Sequence, residues 1–401
     1  MYKFNLAKPL LGKEELMSFK NIINSGWITQ GPKTEIFENL IKEKFKCRNV
    51  IATNSATSGI IAGLLSLGAK QGDEILTPSN TYVSSINSMY NLKLKIKLCD
   101  VDVKTCSVTP EIFEKSISKK TKLFVNRIVD VSFGYNCFFI PVHFGGNPVD
   151  LKKILKNEKK KKIKVLDDAA AAIGSKINGK YVGSFKNSVT VFSLHANKII
   201  TSGEGGFLCL DDTKKANNLR KIINSGIEKS SWKRHKNKKF NFITSEFPGY
   251  KFNFNDILAG IAIEQFKKLD KIINYRKIIH QRYILNLNDL FQDNLISTNL
   301  PLYKTDSSHY CFQLTINSKF FKRDSLADFL SKKSIQTSVY YTPAHHHKIL
   351  KKNISFDIKK LKNTEHIFKN SLSLPFHNHL KIKDIDKISS EIMNYFNNDK
   401  K

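Results

Sequence analysis

The alternation of strand-like and helix-like segments between about residue 45 and residue 210 most constrains the fold of this chain. Short apolar runs recur there at 49–53, 74–78, 95–101, 164–168, 189–193 and 206–210. Helical patterns lie between some of these runs, at 57–67 and 111–117. Strands that alternate with helices form a mostly parallel sheet that the helices cover. We therefore predict an α/β fold, in which ligands bind at the carboxyl ends of the strands.

From about residue 256 the pattern changes to that of a long helix. Apolar residues recur at spacings of three and four over 256–284, and Asp256 stands in the position of an N-cap. We predict an N-terminal arm and large domain over 1–255, and a linking helix with a smaller C-terminal α/β domain over 256–401. Residues 126–139 separate "KLFV" from "IPVHFGG", and we interpret them as an insertion near the end of the sheet.

Charge and cysteine content narrow the classes of function. The chain has 401 residues and a net charge of +31, but its lysines are spread along the sequence. A nucleic-acid binder would cluster basic residues on one face, so we interpret most of these lysines as solvated surface and some as attracting an anionic substrate. The six scattered cysteines form no CxxC pair. This argues against a zinc site or disulfide framework, predicts no metal, and fits the cytoplasm.

The apolar segments give no indication of a membrane protein. No stretch approaches the about 20 apolar residues that a membrane span needs. The N-terminal segment "MYKFNLAKPLLGKEELMSF" carries charges among its apolar residues and has no hydrophobic signal core. We therefore predict no membrane partner.

Small and aromatic residues follow the first two predicted strands. After 49–53 come small residues and a helix predicted to be capped near Ala56 and Thr57. Free N–H groups at a helix start bind phosphate, although the same pattern is also that of an ordinary capped helix. Tyr82 follows 74–78. It could stack on a flat ligand ring or pack in the core.

Charged residues follow two later strands. Asp168 ends 164–168 and precedes four alanines. A buried carboxylate needs a partner, so Asp168 either caps a following helix or pairs with a protonated ring nitrogen. Ser193 and Lys198 lie in "FSLHANKII", and a buried lysine of lowered pKa forms Schiff bases with aldehydes. A phosphate cradle, a stacking aromatic ring, a carboxylate and an amine together match the attachment points of pyridoxal phosphate.

Six segments, spread over nearly the whole length, resemble the DegT/DnrJ/EryC1/StrS family of pyridoxal-phosphate-dependent sugar aminotransferases. They are SGWITQGPKTEIFENLIKEKF (25–45), GDEILTPSNTY (72–82), LDDAAAAIGSKINGKYVGS (166–184), FSLHANKIITSGEGG (192–206), GYKFNFNDILAGIAIEQFKKLD (249–270) and LSLPFHNHL (372–380). The resemblance implies the fold type I of pyridoxal-phosphate-dependent transferases. That fold has a large domain with a mostly parallel seven-stranded sheet and a smaller α/β domain.

The resemblance also implies roles for the site residues. Lys198 would bond to the aldehyde of pyridoxal 5′-phosphate and later move a proton between cofactor and sugar. Asp168 would pair with the pyridine nitrogen, and Tyr82 would cover the ring face. Ala171 stands where the family usually has glutamine near the phenolic oxygen, and we expect this difference to tune activity. The phosphate would be held by three residues, which are Ala56, Thr57 and Ser193.

A homodimer is implied by the loop 249–255. In the family this loop reaches the cofactor phosphate of the other subunit, and either Lys251 or Asn253 would do so here. Three further residues are candidates for lining the sugar-nucleotide pocket, namely Trp27, Thr29 and His309.

The resemblance implies transfer of an amino group, with glutamate as donor, to a keto group of a nucleotide-diphosphate sugar. Position 4 of the sugar is favoured over position 3, and the product would serve glycan or surface polysaccharide biosynthesis. Relatives that deoxygenate sugars carry histidine in place of the lysine, whereas this chain has Lys198. The alternative from another class is a non-catalytic pyridoxal-phosphate-binding regulator or a nucleic-acid-binding protein. The joint presence of Ser193, Asp168 and Lys198 argues against it.

Overall fold

A computed structural model of the protein describes residues 2–117, 137–149, 163–228, 230–236, 242–301, 304–353 and 357–398. The strands are β1 (Asn49–Thr53), β2 (Glu74–Pro78), β3 (Lys95–Cys99), β4 (Cys137–Phe139), β5 (Lys164–Asp168), β6 (Lys176–Ile177), β7 (Lys180–Tyr181), β8 (Ser188–Ser193), β9 (Gly206–Leu210), β10 (Ile296–Thr298), β11 (Thr305–Asp306), β12 (Phe312–Ile316) and β13 (Ser371–Leu374).

The α-helices are α1 (Lys13–Ser25), α2 (Pro32–Phe45), α3 (Ala56–Ser66), α4 (Val83–Asn91), α5 (Pro110–Ser116), α6 (Thr213–Ile222), α7 (Ser231–Lys236), α8 (Asp256–Lys267), α9 (Leu269–Asn286), α10 (Asn288–Gln292), α11 (Arg323–Lys332), α12 (Lys348–Asn353), α13 (Lys362–Asn370) and α14 (Ile382–Asn398). Short 3-10 helices lie at Phe144–Gly146, Ala344–His346 and Ile358–Lys360. Within these described parts of the chain, no helix combines the length and apolar character that crossing a membrane requires.

Seven of these strands form the central sheet, in the order β1–β9–β8–β5–β4–β2–β3. Strand β9 runs antiparallel to both of its neighbours, and the other pairs are parallel. The predicted mostly parallel α/β fold with seven strands is thus confirmed. The apolar runs at 49–53, 74–78, 164–168 and 206–210 coincide with β1, β2, β5 and β9.

Helices cover both faces of this sheet. Phe207 and Leu208, adjacent in β9, belong to two different apolar clusters, because successive strand residues point to opposite faces. On one face α3 approaches closely, since Gly63 has no side chain; a Cβ there would lie 2.4 Å from the Leu166 side chain. On the other face the ring of Phe37, from α2, packs edge-on against Phe207.

A separate apolar core follows in the C-terminal part. It is built around the antiparallel sheet β10–β12–β13 and includes residues from α9, α11 and α14. Phe4 joins it from the N-terminus, where its backbone bonds to Ser334 and Gln336. The boundary between residues 255 and 256 stays a prediction.

The single long helix predicted over 256–284 is wrong, because α8 and α9 meet at Lys268. The N–H of Lys268 donates to the carbonyl of Gln265, three residues back, at 3.1 Å, and such a bond tightens the turn. The predicted N-cap is also displaced by one residue. Asn255 is the N-cap of α8, and its side chain accepts a hydrogen bond from the N–H of Leu258 at 2.9 Å.

Asp256 instead fixes the start of α2. Its Oδ1 accepts hydrogen bonds from the N–H of Gly31 at 2.8 Å and from the hydroxyl of Thr34 at 2.8 Å. Its Oδ2 accepts from the N–H of Lys33 at 2.9 Å. Gly31 is the N-cap of α2 and has no capping side chain, so Asp256 supplies the missing acceptor from a distant part of the sequence.

The interpretation of 126–139 as an insertion is wrong for its last three residues. Residues 137–139 are β4, an interior strand between β2 and β5. Phe138 and Phe139 are buried on opposite faces of the sheet. The remaining residues, 126–136, lie outside the described part of the chain. The segment 140–146 follows β4 and brings His143 to the edge where the sheet's parallel strands end.

Candidate active site

A cavity of about 370 Å³ lies at the carboxyl ends of the parallel strands. Its walls come from the turns after β1, β2, β5 and β8, and from segment 338–347 of the C-terminal part. Seven residues predicted from the sequence line it together, namely Ala56, Thr57, Tyr82, Asp168, Ala171, Ser193 and Lys198. The structure therefore brings together residues that are up to 142 positions apart in the chain (198 − 56).

Lys198 lies on the turn after β8 with its side chain directed into the cavity. The backbone N–H of Lys198 donates to the carbonyl of His195 at 2.9 Å, which fixes the turn. The Lys198 Nζ lies 4.6 Å from the centroid of the Tyr310 ring. Burial lowers the pKa of Lys198 to about 8, against the opposing effect of the Asp168 charge. A fraction of this amine is therefore unprotonated near neutral pH, as a nucleophile requires.

Asp168 ends β5 and is buried beside the same cavity. Its Oδ2 accepts a hydrogen bond from the hydroxyl of Ser85 at 2.8 Å, and its Oδ1 accepts from the N–H of Ala170 at 3.1 Å. Burial raises the pKa of Asp168, although both hydrogen bonds and the charge of Lys198 oppose this. Residues 169–175 form turns. Of the two sequence interpretations, capping of a following helix is therefore wrong.

The start of α3 forms one end of the cavity. Its N-cap is Ser55, whose side chain accepts from the N–H of Ser58 at 3.1 Å, so the predicted helix start near Ala56 and Thr57 is confirmed. Ala56 and Thr57 supply the first N–H groups of α3, which have no acceptor within the helix. Gly206 lets β9 pack closely against the start of α3, because a Cβ there would lie 2.6 Å from the Ala56 nitrogen.

Tyr82 stands at the rim and is 58% exposed, so it is not a core residue. Its ring lies 5.8 Å from that of Tyr341, which in turn lies 5.9 Å from Phe144. An aromatic side chain held on one side and open on the other can stack on a flat ring.

Sequence reasoning missed several residues of the cavity wall. His143 Nδ1 accepts the N–H of Val149 at 2.8 Å. Its proton therefore lies on Nε2, which is 2.7 Å from Asp167 Oδ1. The position of His143 soon after the buried strand β4 could have indicated a site residue from the sequence alone. Ser85 and the tyrosines 310, 340 and 341 carried no comparable signal, since they come from helix α4 and from the C-terminal part.

Other predicted residues do not line this cavity. Trp27 packs its ring 4.8 Å from Trp232. His309 lies 4.8 Å from the ring of His280, and burial lowers the pKa of His309 to about 3. Its neighbour Tyr310 faces Lys198 instead. Thr29 is exposed.

The loop residues Lys251 and Asn253 also lie outside the cavity wall. Lys251 forms a backbone bridge with Asn224, and Asn253 forms one with Thr53 at the end of β1. Their predicted role concerns a second subunit and stays a prediction.

Comparison with known proteins agrees with this geometry. A model of the DegT/DnrJ/EryC1/StrS aminotransferase family matches residues 9–393. An uncharacterized protein of Methanocaldococcus jannaschii, MJ1066, is 31% identical over 374 residues, which are 92% of this chain and 92% of that protein.

Solved structures show the same fold. PseC of Helicobacter pylori, an aminotransferase involved in pseudoaminic acid biosynthesis, has a TM-score of 0.86 at 22% identity, covering 98% of this chain and 99% of that one. The sugar aminotransferase CalS13 of Micromonospora echinospora has a TM-score of 0.83 at 21% identity, covering 98% and 99%. The predicted fold type I and the family resemblance are confirmed.

Aminotransferases of that family use pyridoxal 5′-phosphate, and the residues present fit this cofactor. Lys198 offers a buried amine of lowered pKa for the aldehyde. Asp168 is a buried carboxylate of raised pKa, which a protonated ring nitrogen would stabilise in its charged form. The first N–H groups of α3, at Ala56 and Thr57 on the cavity wall, suit the phosphate.

Proposed function

The chain belongs to the DegT/DnrJ/EryC1/StrS aminotransferase family, and from this premise we propose that it transfers an amino group from glutamate to a keto group of a nucleotide-diphosphate sugar. Position 4 of the sugar is favoured over position 3. The observation that carries the proposal is the buried Lys198 amine facing Asp168 across one cavity. A purely structural role would leave both buried charges without a reason.

Bound pyridoxal 5′-phosphate supplies an aldehyde that carries the amino group and a ring that accepts electrons. Lys198 would hold the cofactor through its Nζ, and the same atom could carry the proton that amino transfer moves. Asp168 keeps the ring nitrogen protonated, and Ser85 holds the carboxylate in place through its 2.8 Å hydrogen bond. Tyr82 covers one ring face, while Ala56, Thr57 and Ser193 hold the phosphate.

A sugar substrate is supported by the relatives and by charge. CalS13 is a sugar aminotransferase, and PseC is an aminotransferase involved in the biosynthesis of pseudoaminic acid. The net charge of +31 favours encounter with an anionic diphosphate. We propose a product for glycan or surface polysaccharide biosynthesis, and a cytoplasmic location.

The proposed homodimer is supported by an exposed apolar surface. Leu16, Met17 and Ile23 of α1 are 67%, 54% and 47% exposed, and the nearby Ile28 is 51% exposed. Several large apolar side chains exposed within one segment are typical of an interaction site. In the proposed dimer, Lys251 or Asn253 of loop 249–255 reaches the cofactor phosphate of the other subunit.

Absorbance of the purified protein tests the cofactor link. A near-visible band that borohydride removes is expected from the protein loaded with pyridoxal 5′-phosphate. Lys198→Ala should lack that band. Lys186→Ala, at an exposed lysine in a turn before β8, should keep it. Equal bands in both variants would contradict the assignment of Lys198.

The substrate is tested by two half-reactions. Glutamate should convert the band to that of the aminated cofactor, and one keto-sugar nucleotide from a panel should restore it. A band that responds to no amino donor and no keto-sugar would favour the non-catalytic alternative. Salt-dependent binding to DNA would then be the next measurement.

A further inference from the structure

Three metal-ligand side chains meet outside the cofactor cavity. His345 and His346 lie in the 3-10 helix Ala344–His346, and Glu365 lies in α13. The Nε2 atoms of His345 and His346 lie 2.7 Å and 2.5 Å from the same atom, Oε1 of Glu365. All three ligand atoms are within 4.8 Å of one another. The convergence of two imidazoles on one carboxylate oxygen sets these residues apart from the other titratable groups of the described chain.

We propose that His345, His346 and Glu365 form a Zn²⁺ site that is separate from the amino-transfer chemistry. Two histidines and one carboxylate are a donor set that zinc takes in proteins, with the fourth position open to water. Imidazole suits zinc better than it suits magnesium or calcium. This proposal does not depend on the substrate of the transferase, so each can fail without the other.

The burial of the three side chains suits a site that a metal can enter from one side. The His345 side chain is 1% exposed, Glu365 is 17% exposed and His346 is 31% exposed. His345 and Glu365 therefore form the inner wall, and His346 lies on the solvent side. An ion and its water ligand can reach the three ligand atoms past His346.

The second ring nitrogen of His345 already has the partner that a zinc ligand needs. Nδ1 of His345 lies 2.6 Å from the hydroxyl oxygen of Ser79. A hydroxyl can donate or accept, so Ser79 can accept the Nδ1 proton and leave the Nε2 lone pair for the metal. Such outer partners fix the tautomer and ring orientation of metal-bound histidines.

Glu365 is held in place by its surroundings. The adjacent Thr364 donates from its N–H and its hydroxyl to Asp100 Oδ1, each at 2.7 Å, which anchors the start of α13. Lys369 lies 3.5 Å from Glu365 Oε2, the oxygen that does not face the histidines. These contacts leave Oε1 of Glu365 as the oxygen that faces the two imidazoles.

Metal binding requires a small rearrangement of the cluster. At 2.5 and 2.7 Å, the two Nε2 atoms hydrogen-bond to Glu365. Tetrahedral zinc with ligands at about 2.0–2.1 Å places those ligand atoms about 3.3 Å apart, so each Nε2 atom must move away from Oε1 by less than about 1 Å. The three ligand atoms lie within 4.8 Å of one another, so the two Nε2 atoms must also approach each other by up to about 1.5 Å.

The position of the cluster gives zinc a structural consequence. The N–H of Ala344 donates to the carbonyl of Ser79 at 2.8 Å, next to the turn that carries Tyr82. Segment 338–347 forms one wall of the cofactor cavity. Zinc would join this segment to α13 and, through His345, to the turn after β2. We therefore expect zinc to stabilise the folded protein, since a ligand that binds only the native state raises its stability.

Calorimetric titration of the chelator-treated holoenzyme with zinc chloride tests the site. One zinc per chain is expected, and His346→Asn should weaken binding by more than the about 10–100-fold typical of lost outer partners. Glu365→Gln should do the same. His366→Asn is the matched control, because His366 is exposed on the same helix and bonds to Asn370. Zinc should raise the unfolding temperature of the wild type and of His366→Asn, but not that of His346→Asn.

Two results would overturn the site. One is no zinc binding by the wild type up to millimolar zinc. The other is binding of equal stoichiometry and affinity in His346→Asn, which would place the metal elsewhere. Because His346 lies on the solvent side, His346→Asn is expected to fold, and circular dichroism checks this. The test therefore remains valid if Glu365→Gln does not fold.

Discussion

The amine of Lys198 lies over the ring of Tyr310, with 4.6 Å between Nζ and the ring centroid. Tyr310 is buried, and its ring stacks on Tyr340 at 5.8 Å. The face of an aromatic ring attracts a cation, so this contact opposes the burial that lowers the pKa of Lys198. The C-terminal part thereby helps to set the protonation of an amine in the N-terminal part.

Removing the ring at position 310 should change the titration of Lys198. Tyr310→Leu is expected to lower the Lys198 pKa further and so to speed cofactor attachment below pH 8, since a desolvated cation–π contact stabilises the charged amine by about 2 kcal/mol. Tyr310→Phe keeps the ring and should stay near the wild type. The measurement is the rate of cofactor attachment to the apo protein against pH. Identical pH profiles of attachment for Tyr310→Leu and Tyr310→Phe would show that the ring of Tyr310 does not affect the pKa of Lys198.

The pH dependence of cofactor attachment follows from the Lys198 amine. Burial lowers its pKa to about 8, so the unprotonated, reactive form makes up about half of the amine at pH 8 and nearly all of it one pH unit higher. The attachment rate should therefore rise through pH 8 and level off at about pH 9. A free lysine side chain, with a pKa of about 10.4, would still gain reactivity above pH 9. A rate that continues to rise to pH 10 would show that Lys198 is solvated.

Asp168 and Ser85 should differ in the size of their effects. Asp168→Asn removes the buried charge and is expected to lower kcat by about 10²–10⁴, the range typical of a lost acid–base partner. Ser85→Ala removes one 2.8 Å hydrogen bond to the carboxylate. The loss of this hydrogen bond should raise the activation free energy by about 1.5–3 kcal/mol, which lowers kcat roughly ten- to a hundred-fold. Steady-state kinetics on both variants, with folding checked by circular dichroism, would separate them. An equal loss in both would contradict this order.

Gly206→Ala should weaken cofactor binding. The new Cβ would lie 2.6 Å from the Ala56 nitrogen and 2.8 Å from the Phe192 carbonyl oxygen, so the start of α3 must move. We expect a loss of about 1–3 kcal/mol in unfolding free energy and a higher Kd for pyridoxal 5′-phosphate. Gly12→Ala is the control, because its Cβ would first meet the flexible Glu14 carboxylate at 3.2 Å. Unchanged cofactor affinity in Gly206→Ala would show that α3 does not hold the phosphate.

The sequence by itself determined the sheet and the main chemical groups. Apolar runs such as 74–78 and 164–168 match their strands residue for residue, because a buried parallel strand needs a short continuous apolar segment. Asp168 and Lys198 could be assigned to one site because each follows such a strand, and the carboxyl ends of parallel strands meet at one edge.

The tertiary structure decided what depends on contacts between distant segments. His309 and Tyr310 are adjacent in the chain, yet only Tyr310 faces Lys198, and no local pattern distinguishes them. Asp256 caps a helix that begins 224 positions earlier, at Pro32 (256 − 32). His346 meets Glu365 only after α13 has packed beside the 3-10 helix Ala344–His346. Local patterns fix which segments are helices and strands, whereas the partner of a buried polar group depends on which segments the fold packs together.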